Sequence, residues 1–162
     1  CTMCLPYIDV LFGIEPYHLW KDEQDHQTGD VKDGVPFQPD FKQQDEVFHG
    51  FVKRYPNIKC IARHVRYAHS CSENSLMAYL WYDGKTYESQ KLRFHILDRV
   101  GGGDAFVSGI IYALMNEYKP QDIADFGVAE SAVKHTIHGD GNITDDVSLI
   151  EHIMQMNFDI KR

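Results

Sequence analysis

Three consecutive glycines, Gly101 to Gly103, separate a strand-like run from a helix-like run and are followed directly by an acid, Asp104. Glycine loses more conformational freedom on folding than any other residue, so a run of three disfavours folding unless the backbone needs it. Without side chains, such a turn allows positive φ angles and lets a ligand approach the main chain closely. The order strand, glycine turn, acid and helix therefore predicts a βα unit with a ligand-accessible turn.

The rest of the chain alternates strands and helices, with one hairpin inserted. Strands are predicted at 8–12, 58–63 and 92–97, and a hairpin at 75–90, where Asp83-Gly84 favours a two-residue turn. Helices are predicted in four places: from Asp40 to a stop at Pro56-Asn57, at 104–118, at 121–138 and, capped by Asp145 or Asp146, near 147–156. The polar stretch 21–40 is predicted to be mainly surface loop. This alternation indicates an α/β sheet with covered faces.

Length, charge and cysteine content exclude several classes of protein. The 162 residues suit one domain, and the net charge of −8 argues against a broad nucleic-acid or anionic-membrane surface. No apolar run is long enough to span a bilayer, and no signal-peptide pattern is present. Four cysteines indicate reduced thiols in a cytoplasmic protein, with a redox Cys1-x-x-Cys4 as the remaining alternative. The first residue, Cys1, indicates either a processed chain or a piece of a longer one.

The glycine turn and the helix after it can bind an anion without a basic side chain. The N–H groups of a first helical turn lack intrahelical partners and carry the positive end of the helix dipole, so glycines there create a backbone hole for phosphate. This explains how a chain of net charge −8 can hold a phosphate. A Rossmann fingerprint is disfavoured because Phe106 stands where a small residue is needed, and a P-loop because no lysine follows the glycines.

Asp104 needs a separate explanation, because a carboxylate repels phosphate. Beside the phosphate it can orient a neutral hydroxyl and accept its proton as the oxygen attacks, which is what phosphoryl transfer requires. The alternative is a structural acid that caps the helix or complements its dipole. Local chemistry alone leaves both roles open for Asp104.

The stretch Asp98-Arg99-Val100-Gly101-Gly102-Gly103-Asp104-Ala105-Phe106 resembles the signature of the ribokinase-like (PfkB) carbohydrate kinases. Within that family the pattern is most similar to that of the 2-keto-3-deoxygluconate kinases. Three further stretches share the resemblance, at 7–16, 70–89 and 127–143, so it extends over essentially the whole chain. It implies a three-layer α/β/α sandwich of which residues 1–162 are the C-terminal, nucleotide-binding part, with the N-terminal half and its lid absent.

The resemblance also implies a set of site residues. ATP would bind at the turn with Mg²⁺, and Asp104 would be the catalytic base. The remaining implied residues are the anion hole Gly101, Gly102 and Gly103, the monovalent-cation ligand Asp98, and an adenine-covering loop from Gly139 to Asn142. That loop has a second interpretation, a simple helix C-terminal loop. The implied partners are a small sugar acid and the N-terminal half of the same enzyme, with no nucleic acid and no membrane; a homo-oligomer stays open.

Some residues depart from the family pattern or fit more than one role. Many members carry Asn-x-x-Glu, which helps organise magnesium, where this chain has Ile14-Glu15-Pro16-Tyr17, so Glu15 is either a substitute or a solvated loop acid. Of nine histidines, His135 is expected to be a helix-capping or surface residue, with an approach to the nucleotide as the alternative. Arg63 and Arg66 either reach phosphate or form salt bridges.

Taken together, the sequence predicts an ATP-dependent sugar kinase. The alternative from a different class is a nucleotide-binding or interaction fragment without catalysis of its own. A dinucleotide-dependent oxidoreductase is a more distant alternative, which Phe106 disfavours.

Overall fold

A computed structural model of the chain describes residues 2–14, 40–142 and 146–155. After a 3₁₀ helix at Thr2–Tyr7, the strands are β1 (Val10–Phe12), β2 (Cys60–Ala68), β3 (Glu73–Tyr82), β4 (Lys85–Glu88) and β5 (Leu92–His95). The helices are α1 (Phe41–Arg54), α2 (Gly102–Met115), α3 (Pro120–Lys134) and α4 (Val147–Gln155). The predicted loop at 21–40 lies outside the described residues except for Asp40, whose side chain caps α1 by accepting from Gln43 N at 2.8 Å.

The strands form one mixed sheet in the order β1-β2-β3-β4, with β5 also paired to β3. β1 and β2 are parallel, whereas β3 is antiparallel to β2, β4 and β5. β4 and β5 follow one another along the same side of β3, and Ser89 between them bonds to Ala78 of β3 through both its N–H and its hydroxyl. The predicted hairpin is confirmed: Asp83 and Gly84 form its turn, with φ values of 48° and 79°.

Both faces of the sheet are covered, which confirms the predicted three-layer α/β/α architecture. Alternate residues along β2 and β3 point to opposite faces. On one face α1 packs its buried side chains Val47, Phe48 and Phe51 against Ile61, Val65, Met77, Tyr79 and Trp81. On the other face α2, α3 and α4 pack against Cys60, Ala62, Leu76, Ala78 and Leu80. No helix in the described part of the chain combines the length and the apolar character needed to cross a membrane.

Helices α2 and α3 approach closely because two glycines lie at their contact. A Cβ on Gly109 would lie 2.9 Å from the Cβ of Glu130, and one on Gly127 would lie 2.6 Å from Cδ1 of Ile110. This packing fixes the N-terminus of α2 relative to the C-terminus of α3. The chain segments at those two ends form the candidate site.

Three predicted boundaries need correction. β2 extends well past the predicted 58–63, because it pairs with β3 along its whole length. α2 runs from Gly102 to Met115 rather than over 104–118, since Gly101 in the left-handed conformation sets its start and Glu117, with φ 56°, lies beyond its end. α3 ends at Lys134 rather than at 138, and the chain then turns towards Gly139, which has φ +83°.

Candidate functional site

The three glycines of the turn have different surroundings. Gly101 adopts φ +78°, and a Cβ there would lie 2.4 Å from the backbone oxygen of Asp140. A Cβ on Gly102 would lie 2.3 Å from Cε1 of the His135 ring. Gly103 is exposed, and nothing lies within 4 Å of its Cβ position. The first two glycines therefore allow close packing against the residues after α3, and the third leaves open space at the start of α2.

The start of α2 leaves main-chain donors unused. Its first intrahelical bond runs from Ala105 N to Gly101 O at 2.9 Å, and Gly102 N lies 3.5 Å from Arg99 O. Among the residues that the structure describes, the N–H groups of Gly101, Gly103 and Asp104 have no acceptor. Those of Gly103 and Asp104 lie in the first turn of α2, and unpaired donors at the positive end of a helix dipole are chemically suited to bind an anion.

Asp104 is exposed in the first turn of α2, and its carboxylate bonds to none of the described residues. No side chain caps this helix, whose N-cap is Gly101. Since Cα–Cβ bonds tilt toward the helix N-terminus, the side chain of Asp104 leans toward the unpaired N–H groups. The capping role for Asp104 therefore lacks the hydrogen bond that defines it, while a favourable interaction with the helix dipole remains.

Asp98 ties the glycine turn to the loop that follows α3. Its Oδ1 accepts from Val100 N at 3.0 Å and its Oδ2 accepts from Gly139 N at 2.8 Å. These two backbone bonds lower the pKa of Asp98, and the charge of Lys134 contributes further. The carboxylate thus holds together the glycine turn and the predicted adenine-covering loop, which begins at Gly139.

A buried pair of side chains on α3 and just after it supports Gly102 from behind. The Ser131 hydroxyl donates to Gly102 O at 2.8 Å, and His135 Nδ1 donates to Ser131 O at 2.6 Å. The His135 ring is 5 % exposed and lies 5.1 Å from the ring of Phe94. Of the two predicted roles, His135 has the helix-capping one, and burial lowers its pKa so that the ring is neutral near pH 7.

Positive charge collects around the glycine turn although the chain as a whole is acidic. After burial, the charges of Arg66, Lys134 and Arg99 lower the pKa of His135 further, so all three lie within electrostatic range of that ring. Arg66 forms no ion pair within residues 2–14, 40–142 and 146–155. Arg63 lies on the opposite sheet face, where its Nη1 donates to Gln44 Oε1 at 2.7 Å. The two predicted arginines therefore separate, and only Arg66 lies on the glycine-turn side.

An open cleft of about 350 Å³ lies between α2, α3 and α4. Its lining is Ser108, Gly109, Tyr112, Phe126, Glu130, Asp146, Val147 and Ile150. Burial raises the pKa of Glu130, whose Oε1 accepts a hydrogen bond from Asn142 Nδ2. The predicted loop residue Asn142 therefore lies beside this cleft, and Gly139 lies beside the glycine turn. Ser108, the first lining residue on α2, lies about 7.5 Å along the helix from Gly103, at 1.5 Å per residue.

The described residues contain no group of three or more His, Cys, Asp or Glu side chains arranged to hold a metal ion. Glu15, the residue considered as a magnesium-organising acid, lies outside the described part of the chain. Sequence reasoning missed Ser131, Lys134 and Arg99 as parts of the site. Their only signal is position, because Ser131 and Lys134 are three residues apart near the end of α3 and Arg99 precedes the glycines.

No family model matches the chain. A 5-dehydro-2-deoxygluconokinase of Clostridium botulinum is 31% identical over 71 residues, which are 44% of this chain and 20% of that protein.

Solved structures match over nearly the whole chain. A 2-dehydro-3-deoxygluconokinase from Thermotoga maritima superposes with a TM-score of 0.76 at 25% identity, covering 94% of this chain and 43% of that one. A PfkB family carbohydrate kinase from Listeria grayi gives a TM-score of 0.73 at 26% identity, again with 94% and 43% coverage. The chain thus spans less than half the length of these relatives and matches their C-terminal part. By fold and sequence it is similar to the C-terminal part of the ribokinase-like (PfkB) carbohydrate kinases.

Proposed function

We propose that the protein transfers the γ-phosphoryl group of ATP to a hydroxyl of a small sugar acid, with 2-keto-3-deoxygluconate as its substrate. The main support for this proposal is the arrangement of groups at the start of α2. Two unpaired N–H groups, on Gly103 and Asp104, adjoin open space and an exposed carboxylate. Phosphoryl transfer needs this combination of an electrostatic cradle and a positioned base.

In this proposal the N–H groups of Gly103 and Asp104 bind oxygens of the transferring phosphate. The charges of Arg66 and Arg99, both near the turn, favour the same anion. The Asp104 carboxylate orients the sugar hydroxyl and accepts its proton. As the hydroxyl oxygen bonds to the γ-phosphorus, the bond to the β,γ-bridging oxygen breaks and ADP leaves. Gly101 and Gly102 contribute by letting the turn pack tightly against the residues after α3.

The base of the nucleotide is proposed to occupy the cleft between α2, α3 and α4. The cleft is largely apolar and offers Tyr112 and Phe126 for ring contacts. Glu130 and Asn142 supply a polar edge that can hydrogen-bond a base. The distance of about 7.5 Å from Gly103 along the helix suits a nucleotide whose phosphates reach the glycine turn.

Mg²⁺ is expected to accompany ATP and to screen its phosphate charges. The described residues include no cluster of three or more acidic or histidine side chains, and Mg²⁺ at nucleotide sites is usually held by one or two carboxylates together with phosphates and waters. No step of the proposal is assigned to the ion. Asp104 and the two N–H groups act on the hydroxyl and the phosphate directly.

The substrate class rests on the relatives' names. The Thermotoga maritima protein is a 2-dehydro-3-deoxygluconokinase and the Clostridium botulinum protein is a 5-dehydro-2-deoxygluconokinase, so both names specify dehydro-deoxygluconates. The 43% coverage of the solved relative supports a division of labour in which residues 1–162 form the nucleotide-binding part and an N-terminal half completes the sugar site. It equally favours a second candidate, a nucleotide-binding piece without turnover of its own. A cytoplasmic location follows from the use of ATP.

An ADP-release assay tests the proposal. The full-length protein should turn over 2-keto-3-deoxygluconate in the ordinary kinase range, roughly 1–100 s⁻¹, and 5-dehydro-2-deoxygluconate and gluconate serve as comparison substrates. Residues 1–162 alone should not turn over, because the hydroxyl is then neither positioned nor shielded from water. If no sugar acid stimulates ADP release by the full-length protein, the kinase proposal is wrong. Turnover by residues 1–162 alone would contradict the need for a second half.

A further inference from the structure

Lys134, the last residue of α3, has no exposed surface. Lysine is almost never fully buried unless its charge is paired. Its Nζ donates to the backbone oxygens of Ile137 at 3.1 Å and Gly139 at 2.6 Å. Both acceptors lie in the turn that follows α3. The ammonium is therefore a dehydrated cation held by main-chain carbonyls of the loop beside the glycine turn.

The same ammonium lies beside the residues that the family resemblance connects with a monovalent cation. The charge of Lys134 lowers the pKa of Asp98, which places the two within electrostatic range. A Cβ on Gly101 would lie 3.2 Å from Cε of Lys134, so the side chain passes directly behind the glycine turn. Carbonyl oxygens with a nearby carboxylate are the surroundings that alkali cations use in proteins, where oxygens replace the hydration shell.

The residues around Asp98 do not fit an additional monovalent cation. Both oxygens of Asp98 already accept N–H bonds, from Val100 and from Gly139. The carbonyls of Ile137 and Gly139 already accept bonds from Lys134. A second positive ion among these groups would be repelled by the ammonium at short range. A cation at this place would share oxygens that already accept hydrogen bonds and would lie beside the Lys134 ammonium.

We propose that the ammonium of Lys134 replaces the monovalent cation as a tethered positive charge. In this role it orders the 137–139 carbonyls, balances Asp98 and supports the glycine turn from behind. Ordering of the site then requires no potassium, sodium or ammonium ion from solution. The inference concerns the site of the proposed function, but its tests measure stability and ion binding instead of turnover. Either proposal can therefore fail while the other holds.

The first test uses the unmodified full-length protein. Its Tm should be equal, within about 1 °C, in potassium, sodium and choline chloride at matched ionic strength. Crystals soaked in rubidium chloride should show no anomalous peak among Asp98, Ile137 and Gly139. A Tm gain of several degrees that is specific to potassium, or a rubidium peak at these residues, would overturn the proposal.

The second test uses two matched variants in the full-length protein. Lys134→Ala removes the charge and opens space for an ion, whereas Lys134→Met removes the charge and fills most of the space. Both should lower Tm by several degrees, because the carbonyls of Ile137 and Gly139 lose a charged hydrogen-bond donor. Potassium, rubidium or methylammonium should restore much of the loss in Lys134→Ala and little in Lys134→Met.

The exposed Lys59, paired with Asp9 at the surface, provides the control. Lys59→Ala should leave Tm insensitive to the choice of cation. If Lys134→Ala is folded and no cation raises its Tm above that of Lys134→Met under the same conditions, the carbonyls do not form a cation site and the proposal is wrong. Should neither Lys134 variant fold, the rubidium experiment on the unmodified protein decides.

Discussion

The hairpin turn between β3 and β4 and the glycine turn before α2 both place glycine in the left-handed region, but they are held differently. In the hairpin, Gly84 has φ +79° and open space at its Cβ position. Its geometry comes from the neighbouring strand pairing, in which Tyr82 faces Lys85. In the glycine turn, Gly101 has the same φ within 1°, yet its Cβ position is filled by the backbone of Asp140.

The difference shows how a turn can keep main-chain donors unpaired. Two-residue hairpin turns are specified by their own sequence and by the register of the adjoining strands. The glycine turn is held from behind by Asp98, Ser131 and Lys134, which bond to it or lie against it. Because these contacts fix the back of the turn, its front can leave the N–H groups of Gly103 and Asp104 unpaired. Rigidity from distant residues is what makes the unpaired donors available to a ligand.

The largest effect is expected at Asp104, where a substitution distinguishes a catalytic role of the carboxylate from a structural one. Asp104→Asn should lower kcat by roughly 10²–10⁴-fold in the full-length protein, which is the usual contribution of a general base. That corresponds to about 3–5 kcal/mol of transition-state stabilisation. Asn is nearly isosteric and loses only the interaction of the charge with the helix dipole, about 0.3–1 kcal/mol of stability, so a purely structural Asp104 predicts little change in kcat. The measurement is kcat at saturating sugar acid and ATP, with Tm recorded in parallel.

ATP binding provides the control for this variant. Affinity for ATP should hold or rise slightly in Asp104→Asn, because a negative charge beside the γ-phosphate is removed. A variant that retains nearly full kcat would remove Asp104 from the mechanism. Loss of ATP binding together with loss of kcat would instead place Asp104 in nucleotide binding.

A matched pair of substitutions distinguishes the back of the turn from its front. Gly102→Val places side-chain atoms where the His135 ring lies, so it should destabilise the fold by about 1–3 kcal/mol, as overpacking does. Gly103→Val meets no neighbouring atom, and Gly103 has no positive φ to strain, so Tm should change little. Its side chain would instead crowd the open space over the N–H groups and raise the KM for ATP. Equal Tm losses in both variants would mean that Gly103 is structural.

The contrast between a turn set by its own sequence and a turn held by distant residues also explains which features could be predicted from the sequence. The Asp83-Gly84 hairpin and the start of α1 at Asp40 are local patterns, and both were predicted. Lys134 was not, because a lysine at a helix end normally indicates a solvated residue, and only the backward path of the 137–139 loop buries it. The bond from Ser131 to Gly102 joins residues 29 apart in sequence and has no local signal. Gly103 and Asp104 were predictable because a glycine run before a helix is itself a chemical pattern.

A pH experiment tests the connection between the glycine turn and the Gly139 loop. The pKa of Asp98 is lowered from its ordinary value of 3.8 because the folded state donates two backbone bonds to the charged carboxylate. Its contribution to stability is therefore complete above about pH 4 and is lost as the pH falls through the lowered folded-state pKa. Asp98→Asn should lower Tm at pH 7, and the difference from the unmodified protein should shrink below pH 4.

Asp140→Asn is the matched control for this experiment, since Asp140 is an exposed acid in the same loop. It removes the same charge without removing the bonds to Val100 and Gly139. Its Tm profile should follow that of the unmodified protein across the whole range. A loss of Tm in Asp98→Asn that is independent of pH would show that the carboxylate's charge is not what connects the two segments.

The smallest effect is expected at the hairpin, which serves as the reference for a turn without function. Gly84→Ala should cost about 1–2 kcal/mol, because an alanine in the left-handed region is strained even where its Cβ has space. Gly84→Asn should cost less, since asparagine tolerates this conformation. Both variants should retain the kcat and the KM for ATP of the unmodified protein when assayed well below their Tm values, because the hairpin contributes only its strand register. A rise in the KM for ATP in Gly84→Ala, without unfolding, would show that the hairpin also acts on the nucleotide site and would remove the distinction between the two turns.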